Sequence, residues 1–117
     1  MPENKTYTAI AQALLADPHI FEGNLFGVRV LKISGKPFVG LFQNKWLVVK
    51  VGESRVQELI AAKAGRPFDP SGKGRPMQEW IAVDEPATNA KKKWLALAEE
   101  AKDFVEQQQQ AAQAVAY

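Results

Sequence analysis

The 117-residue chain has no cysteine and a single histidine, His19. The first absence excludes disulfides, thiolate metal sites, iron–sulfur clusters and cysteine nucleophiles; the second excludes any metal site built on two imidazoles. No apolar run approaches the roughly 18 residues that a membrane-spanning helix needs. The start Met1-Pro2-Glu3-Asn4-Lys5 lacks the apolar core of a signal peptide. A soluble, cytoplasmic protein without membrane contact is therefore expected. What is present is ordinary for a globular domain, with 46% hydrophobic and 24% charged residues, and the length suits one domain.

Acidic residues are also missing from one whole stretch. Between Gly23 and Gly52 there is none, and residues 23–75 carry ten Lys or Arg against Glu53, Glu58 and Asp69. The flanking segments are acidic, so the formal net charge of +2 conceals a basic middle. Such a field attracts anions, nucleic acid or an acidic partner. Acidic helices lying over a basic sheet would partly neutralise it.

Hydrophobic periodicity organises the chain. Tyr7, Ile10, Ala11 and Leu14 recur at helical spacing between Thr6 and Ala16, and Asp17-Pro18 ends that helix. Phe26 to Ile33, Pro37 to Phe42 and Trp46 to Val51 read as strands separated by Ser34-Gly35-Lys36 and Gln43-Asn44-Lys45, an antiparallel meander. In the third strand Trp46 and Val48 alternate with Leu47, Val49 and Val51, and in the second Phe38 and Phe42 alternate with Val39 and Leu41. Both faces of the sheet are thus expected to be half-buried, covered by helices or a second subunit. Glu53 to Ala64 follows as a short helix with Val56, Leu59, Ile60 and Lys63 on one side and Gly65 as its left-handed cap. Residues 66–76, with three prolines and two glycines, form a structured loop; Trp80 to Val83 is a last strand. A final helix is expected from about Pro86, with Trp94, Leu97, Ala98, Ala101 and Val105 on its stripe. Its extension, residues 106–117, is a glutamine-rich, low-complexity tail in which Val115 and Tyr117 are the sizeable apolar groups.

No constellation points to catalysis or a cofactor. His19 beside Pro18 reads as an exposed junction residue rather than a member of a catalytic triad. Counting from Gly65, a Walker phosphate loop would need glycine where Pro70 stands. Lys73 and Arg75 leave either a loose anion site or a solvated turn. Lys91-Lys92-Lys93 fans around a helix, and Glu99, Glu100, Asp103 and Glu106 lack histidine partners for a metal. Phe38, Phe42 and Trp46 suit a core or a stacking platform for single strands.

The pieces Leu25-Phe26-Gly27-Val28, Ser34-Gly35-Lys36-Pro37-Phe38-Val39-Gly40, Trp46-Leu47-Val48-Val49-Lys50-Val51-Gly52 and residues 66–80 resemble, in order and spacing, the N-terminal domain of TfoX/Sxy-type competence regulators. The most specific part is the loop, where Pro67, Phe68, Pro76, Met77 and Trp80 fall in register; Leu25, Val28 and Ser34 replace a Met, a Gly and an Asp of the family pattern. The resemblance covers about residues 6–105. It implies a small α+β domain of order α-β-β-β-α-β-β-α, an antiparallel sheet with helices packed on it. That fold is akin to YjbR/MmcQ proteins and secretion chaperones. The domain would occupy residues 1–105, followed by the tail and not by the helical second domain with which full-length regulators act beside the cyclic-AMP receptor protein. The implied function is non-enzymatic: a regulatory protein-interaction module linked to competence or transcription control, without cofactor or metal, binding a protein partner or itself as a homodimer. Nucleic-acid binding through a basic face of Arg29, Lys32, Lys36 and Lys50 is the alternative, and small-anion binding a second. The loop residues Phe68, Lys73, Arg75, Met77 and Trp80 are the candidate interaction or anion site; the competing and favoured reading makes the loop a structural keystone.

Overall fold

The computed structural model describes residues 3–25 and 28–115, with side chains to residue 110. The chain enters α1 (Lys5–Leu15) through Asn4, whose side-chain oxygen accepts from the Tyr7 N–H at 2.9 Å, satisfying one orphan donor of the first turn. Tyr7, Ile10, Ala11 and Leu14 are its buried face, as their spacing predicts.

Four strands follow: β1 (Ile20–Leu25), β2 (Val28–Ile33), β3 (Lys36–Phe42) and β4 (Trp46–Lys50). After α2 (Glu53–Ala61) come β5 (Arg66–Pro67), β6 (Trp80–Val83) and α3 (Ala90–Val115). The sheet is antiparallel throughout, in the order β1-β2-β3-β4-β6-β5. The α+β class, the antiparallel sheet and the order of elements agree with the sequence reading. One strand is added, β1, which the composition hides: Glu22-Gly23-Asn24 are weak strand formers at its centre. The expected start of the next strand at Phe26, and the Phe26-Gly27 turn, lie outside the described residues.

The β2–β3 hairpin turns on Ser34 and Gly35, both at positive φ (52° and 78°), the signature of a tight turn that follows the twist of its strands. Opposite it, Leu31 pairs with Val39 but Lys32 with Pro37, so Phe38 is an extra residue on β3. This bulge corrects the expected alternation. Phe38 turns to the same side as Val39 and Leu41 and is fully buried among the helices.

Two further expectations are revised. The left-handed residue after α2 is Lys63 (φ 58°) and not Gly65; a Cβ on Gly65 would meet Ile81 at 2.7 Å and the Ala82 carbonyl at 2.9 Å, so this glycine lets the chain pass close to β6. Lys63 itself is exposed. α3 starts at Ala90, later than Pro86, and the Trp94 indole N–H donates to the Asp84 carbonyl at 3.2 Å, tying the helix to the end of β6.

All three helices lie on one face. Trp94, Ala98, Ala101 and Val105 of α3 are at most 2% exposed against the sheet, joined by the α1 face and by Val56 and Leu59 of α2. The helix continues through the glutamine tract to Val115, where Gln108 donates to the Glu79 carboxylate at 3.1 Å and Gln109 to the Ser34 carbonyl at 3.4 Å. The Val115 side chain and Tyr117 lie outside the described residues.

Candidate functional site

The second face of the sheet is packed not by a helix but, among the described residues, by the loop between β5 and β6. Phe68 leaves β5 and drops into the sheet, 2% exposed. Its ring meets Phe42 edge-on at 5.2 Å and Trp80 at 6.2 Å, while Phe42 stacks on Trp46 at 6.0 Å. These offset and edge-on geometries are the favoured ones for aromatic pairs. Val28, Val30, Val48 and Ala82 complete this second core, with Met77 packed against it. The Met77 N–H donates to the Phe68 carbonyl at 2.8 Å, closing the loop on itself.

Of the five loop residues singled out from the sequence, Phe68 and Trp80 are therefore buried, Met77 is half-buried, and Lys73 and Arg75 stand exposed at the tip. The tip is organised by Asp69. Its carboxylate accepts from the Ser71 hydroxyl at 2.6 Å and from the backbone N–H groups of Ser71, Gly72, Gly74 and Arg75 at 2.8–3.1 Å. The Ser71 hydroxyl, with the backbone amides of Gly74, Gly72 and Arg75, holds the Asp69 carboxyl below the usual carboxylate range against the cost of desolvation. Backbone amides converging in this way are what an anion would seek, and here the chain's own carboxylate already occupies them. The remaining hollow, about 270 Å³ lined by Pro70, Ser71, Arg75 and Met77, is mainly apolar.

The four residues of the expected basic face are not gathered on one surface. Arg29 pairs with Asn24 and Leu41 on the helix side, its guanidinium 5.6 Å over the Tyr7 ring, whereas Lys32 pairs with Phe21 and Pro37 on the opposite side. Successive residues of a strand alternate sides, so an odd step separates them. Lys36 and Lys50 do come together, bordering one shallow recess with Gln108 and Gln109. Three of the middle's ten bases are matched by acids of the C-terminal segment: Lys50 by Glu79 at 3.8 Å, Arg55 by Glu100 at 2.8 Å, Arg66 by Asp84 at 3.0 Å. Lys45 and Arg66 also sit over the Trp46 ring, at 4.9 and 5.5 Å, so that ring carries cations on a surface packed against Phe42. His19 projects into solvent, its side chain 78% exposed, with Asp17 at 3.1 Å.

The feature that sequence reasoning missed is the β1 edge. β1 is six residues long, ends the sheet, and is exposed or half-exposed after Ile20. On its loop-side face Phe21 is 65% exposed, the one large apolar side chain so exposed among the described residues. On its helix side a recess of about 210 Å³ is lined by Tyr7, Glu22, Asn24 and Arg29 among others. Burial pushes the Tyr7 phenol up to about 12, with Arg29 opposing and Glu22 reinforcing the shift. The other edge, β5, has two residues and is guarded by the Arg66–Asp84 pair. The apolar pair Ile20-Phe21, between Pro18-His19 and Glu22-Gly23-Asn24, was the available signal.

No known protein-family model matches the chain, and no curated protein sequence matches it.

Proposed function

We propose that the chain is a non-enzymatic regulatory module of the TfoX N-terminal kind, which works by protein–protein contact at the open β1 edge of its sheet. The resemblance carried by residues 25–52 and 66–80 supports the regulatory setting in the cytoplasm, in control of competence or transcription. One observation carries the choice of surface: a six-residue edge strand bearing Phe21 at 65% exposure, with Glu22 as its sole charge. Soluble proteins ordinarily blunt such an edge with lysine, proline, a bulge or a covering element.

The loop supports the reading from the other direction. Phe68 and Trp80 hold the second core together, which leaves them unsuited to reach a partner. Nucleic-acid binding is the competing reading. It draws on Arg29, Lys32, Lys36, Lys73 and Arg75, which form no ion pair among the described residues, yet their dispersal over both faces and the loop tip favours protein contact. Affinity capture from the native host tests the two together. Partners held by the native chain are expected to be lost with Phe21→Ser and kept when Lys73 and Arg75 are reversed. Retention that instead falls steeply with salt, survives Phe21→Ser and disappears on charge reversal supports nucleic acid and overturns the protein reading.

A further inference from the structure

We infer that the partner at this edge is a second copy of the chain, joined through β1 to β1 in antiparallel register about a two-fold axis at Gly23. The inference rests on the reading of β1 as the contact edge, and it names the occupant. Two identical strands related by a two-fold must run antiparallel, and the same patch serves both copies. Side chains directly opposite one another then lie on the same face of the joined sheet, so only registers pairing like faces are allowed.

Those registers differ sharply in what they bring together. Centred on Glu22, the pairing sets two carboxylates face to face, which is unfavourable. Centred on Asn24, it leaves Phe21 and Glu22 without partners among residues 20–25. Centred on Gly23, residues 21–25 pair wholly among themselves. Phe21 lies opposite Leu25 of the second copy, both on the loop-side face, where Leu25 already packs against the second core. Glu22 lies opposite Asn24 of the second copy, a carboxylate facing an amide that can donate to it. Gly23 meets Gly23 on the axis, where no side chain separates the two backbones. The strand is thus complementary to itself in one register, and the pairing covers the apolar side chain that the single chain leaves in water. Two six-stranded sheets become one.

The absence of cysteine makes the register directly readable. Residues directly opposite across an antiparallel pair have Cα atoms about 4.5–5.5 Å apart, within reach of a disulfide. The atoms nearest to a Cβ at position 23 belong to the flexible end of Lys32, with Cε at 2.8 Å, so cysteine is accommodated by a shift of that side chain. Oxidised Gly23→Cys is expected to run as a covalent dimer. Glu22→Cys is expected not to, because two residues of offset place its copies roughly 8 Å apart.

Light scattering supplies the second arm. The native chain should show twice its 12.9 kDa mass, and Asn24→Glu should return it to one by opposing Glu22 twice. Glu22→Lys/Asn24→Lys should also be monomeric alone, and an equimolar mixture of the two variants should regain the dimer through two Lys–Glu pairs. Circular dichroism confirms that each variant is folded. A native chain that stays monomeric at high concentration, a dimer indifferent to Asn24→Glu, or cross-linking through position 22 instead of 23 overturns the inference. If the chain is monomeric and Phe21→Ser still abolishes capture of another protein, the β1 reading stands and self-pairing falls. If capture also survives Phe21→Ser, both fall.

Discussion

The two ends of the sheet are finished differently. At the β4–β6–β5 end both faces are covered, by α2 and α3 on one side and by the 68–79 loop on the other, and the edge is two residues long with Arg66 and Asp84 across it. At the β1–β2 end helix α1 covers one side, the outer part of the other side is open around Phe21, and a six-residue edge is unpaired. The lesson is that a chain of this size spends its irregular segments where it needs a wall. The loop, for which the structural reading was favoured over an interaction or anion site, serves as the second layer of the domain. The end without such a wall is the one equipped to meet another strand.

Substitutions at the two ends should separate accordingly. The largest effect is expected at the covered end: Phe68→Ala should cost about 3 kcal/mol in urea unfolding, the scale of a deleted buried aromatic, with β1-mediated association unchanged in whatever folded protein remains. A loss below about 1 kcal/mol would mean that the loop is not a wall, since surface changes fall in that range. Next, Asp84→Ala removes the acceptor of the Trp46 indole N–H at 2.6 Å and of Arg66, and should cost about 1 kcal/mol by the same assay.

A smaller effect follows from the loop tip. The Asp69 pKa is depressed in the fold, so its contribution is present above the unfolded carboxylate value and is lost as pH falls through the depressed one. Trypsin cleavage after Lys73 should therefore be faster in Asp69→Ala than in the native chain at neutral pH. Equal rates would remove Asp69 as the organiser of the tip. The smallest effect belongs to the open end, where Phe21→Ser should change the stability of the single chain by no more than about 0.5 kcal/mol while abolishing association.

Much of this architecture was legible in the residues. The helical spacing of Tyr7, Ile10, Ala11 and Leu14, the stripe from Trp94 to Val105 and the apolar strands all stand where periodicity puts them, because burial imposes the period. That both faces of the strands are covered was legible too, since Val48 and Leu47 are equally apolar. What covers the second face was not, because a loop of prolines and glycines carries no period to read. The bulge at Phe38 escaped for a related reason: alternation assumes an unbroken register, and one inserted residue reverses it. β1 was hidden by Glu22, Gly23 and Asn24, whose composition is that of a turn and whose strand state comes from pairing with β2. For the site, Phe68 and Trp80 were found, and both are buried in the second core. The dispersal of Arg29 and Lys32 was implicit in their odd spacing.

Copies of the chain are expected to meet at the open end while the covered end stays closed. Hydrogen exchange across a concentration series tests both at once. The alternate amides of residues 21–25 that point away from β2 should become more protected as concentration rises, with those of β5, β6 and the 68–79 loop unchanged. Protection of β1 that does not vary with concentration, together with concentration-dependent protection in the loop, would contradict it.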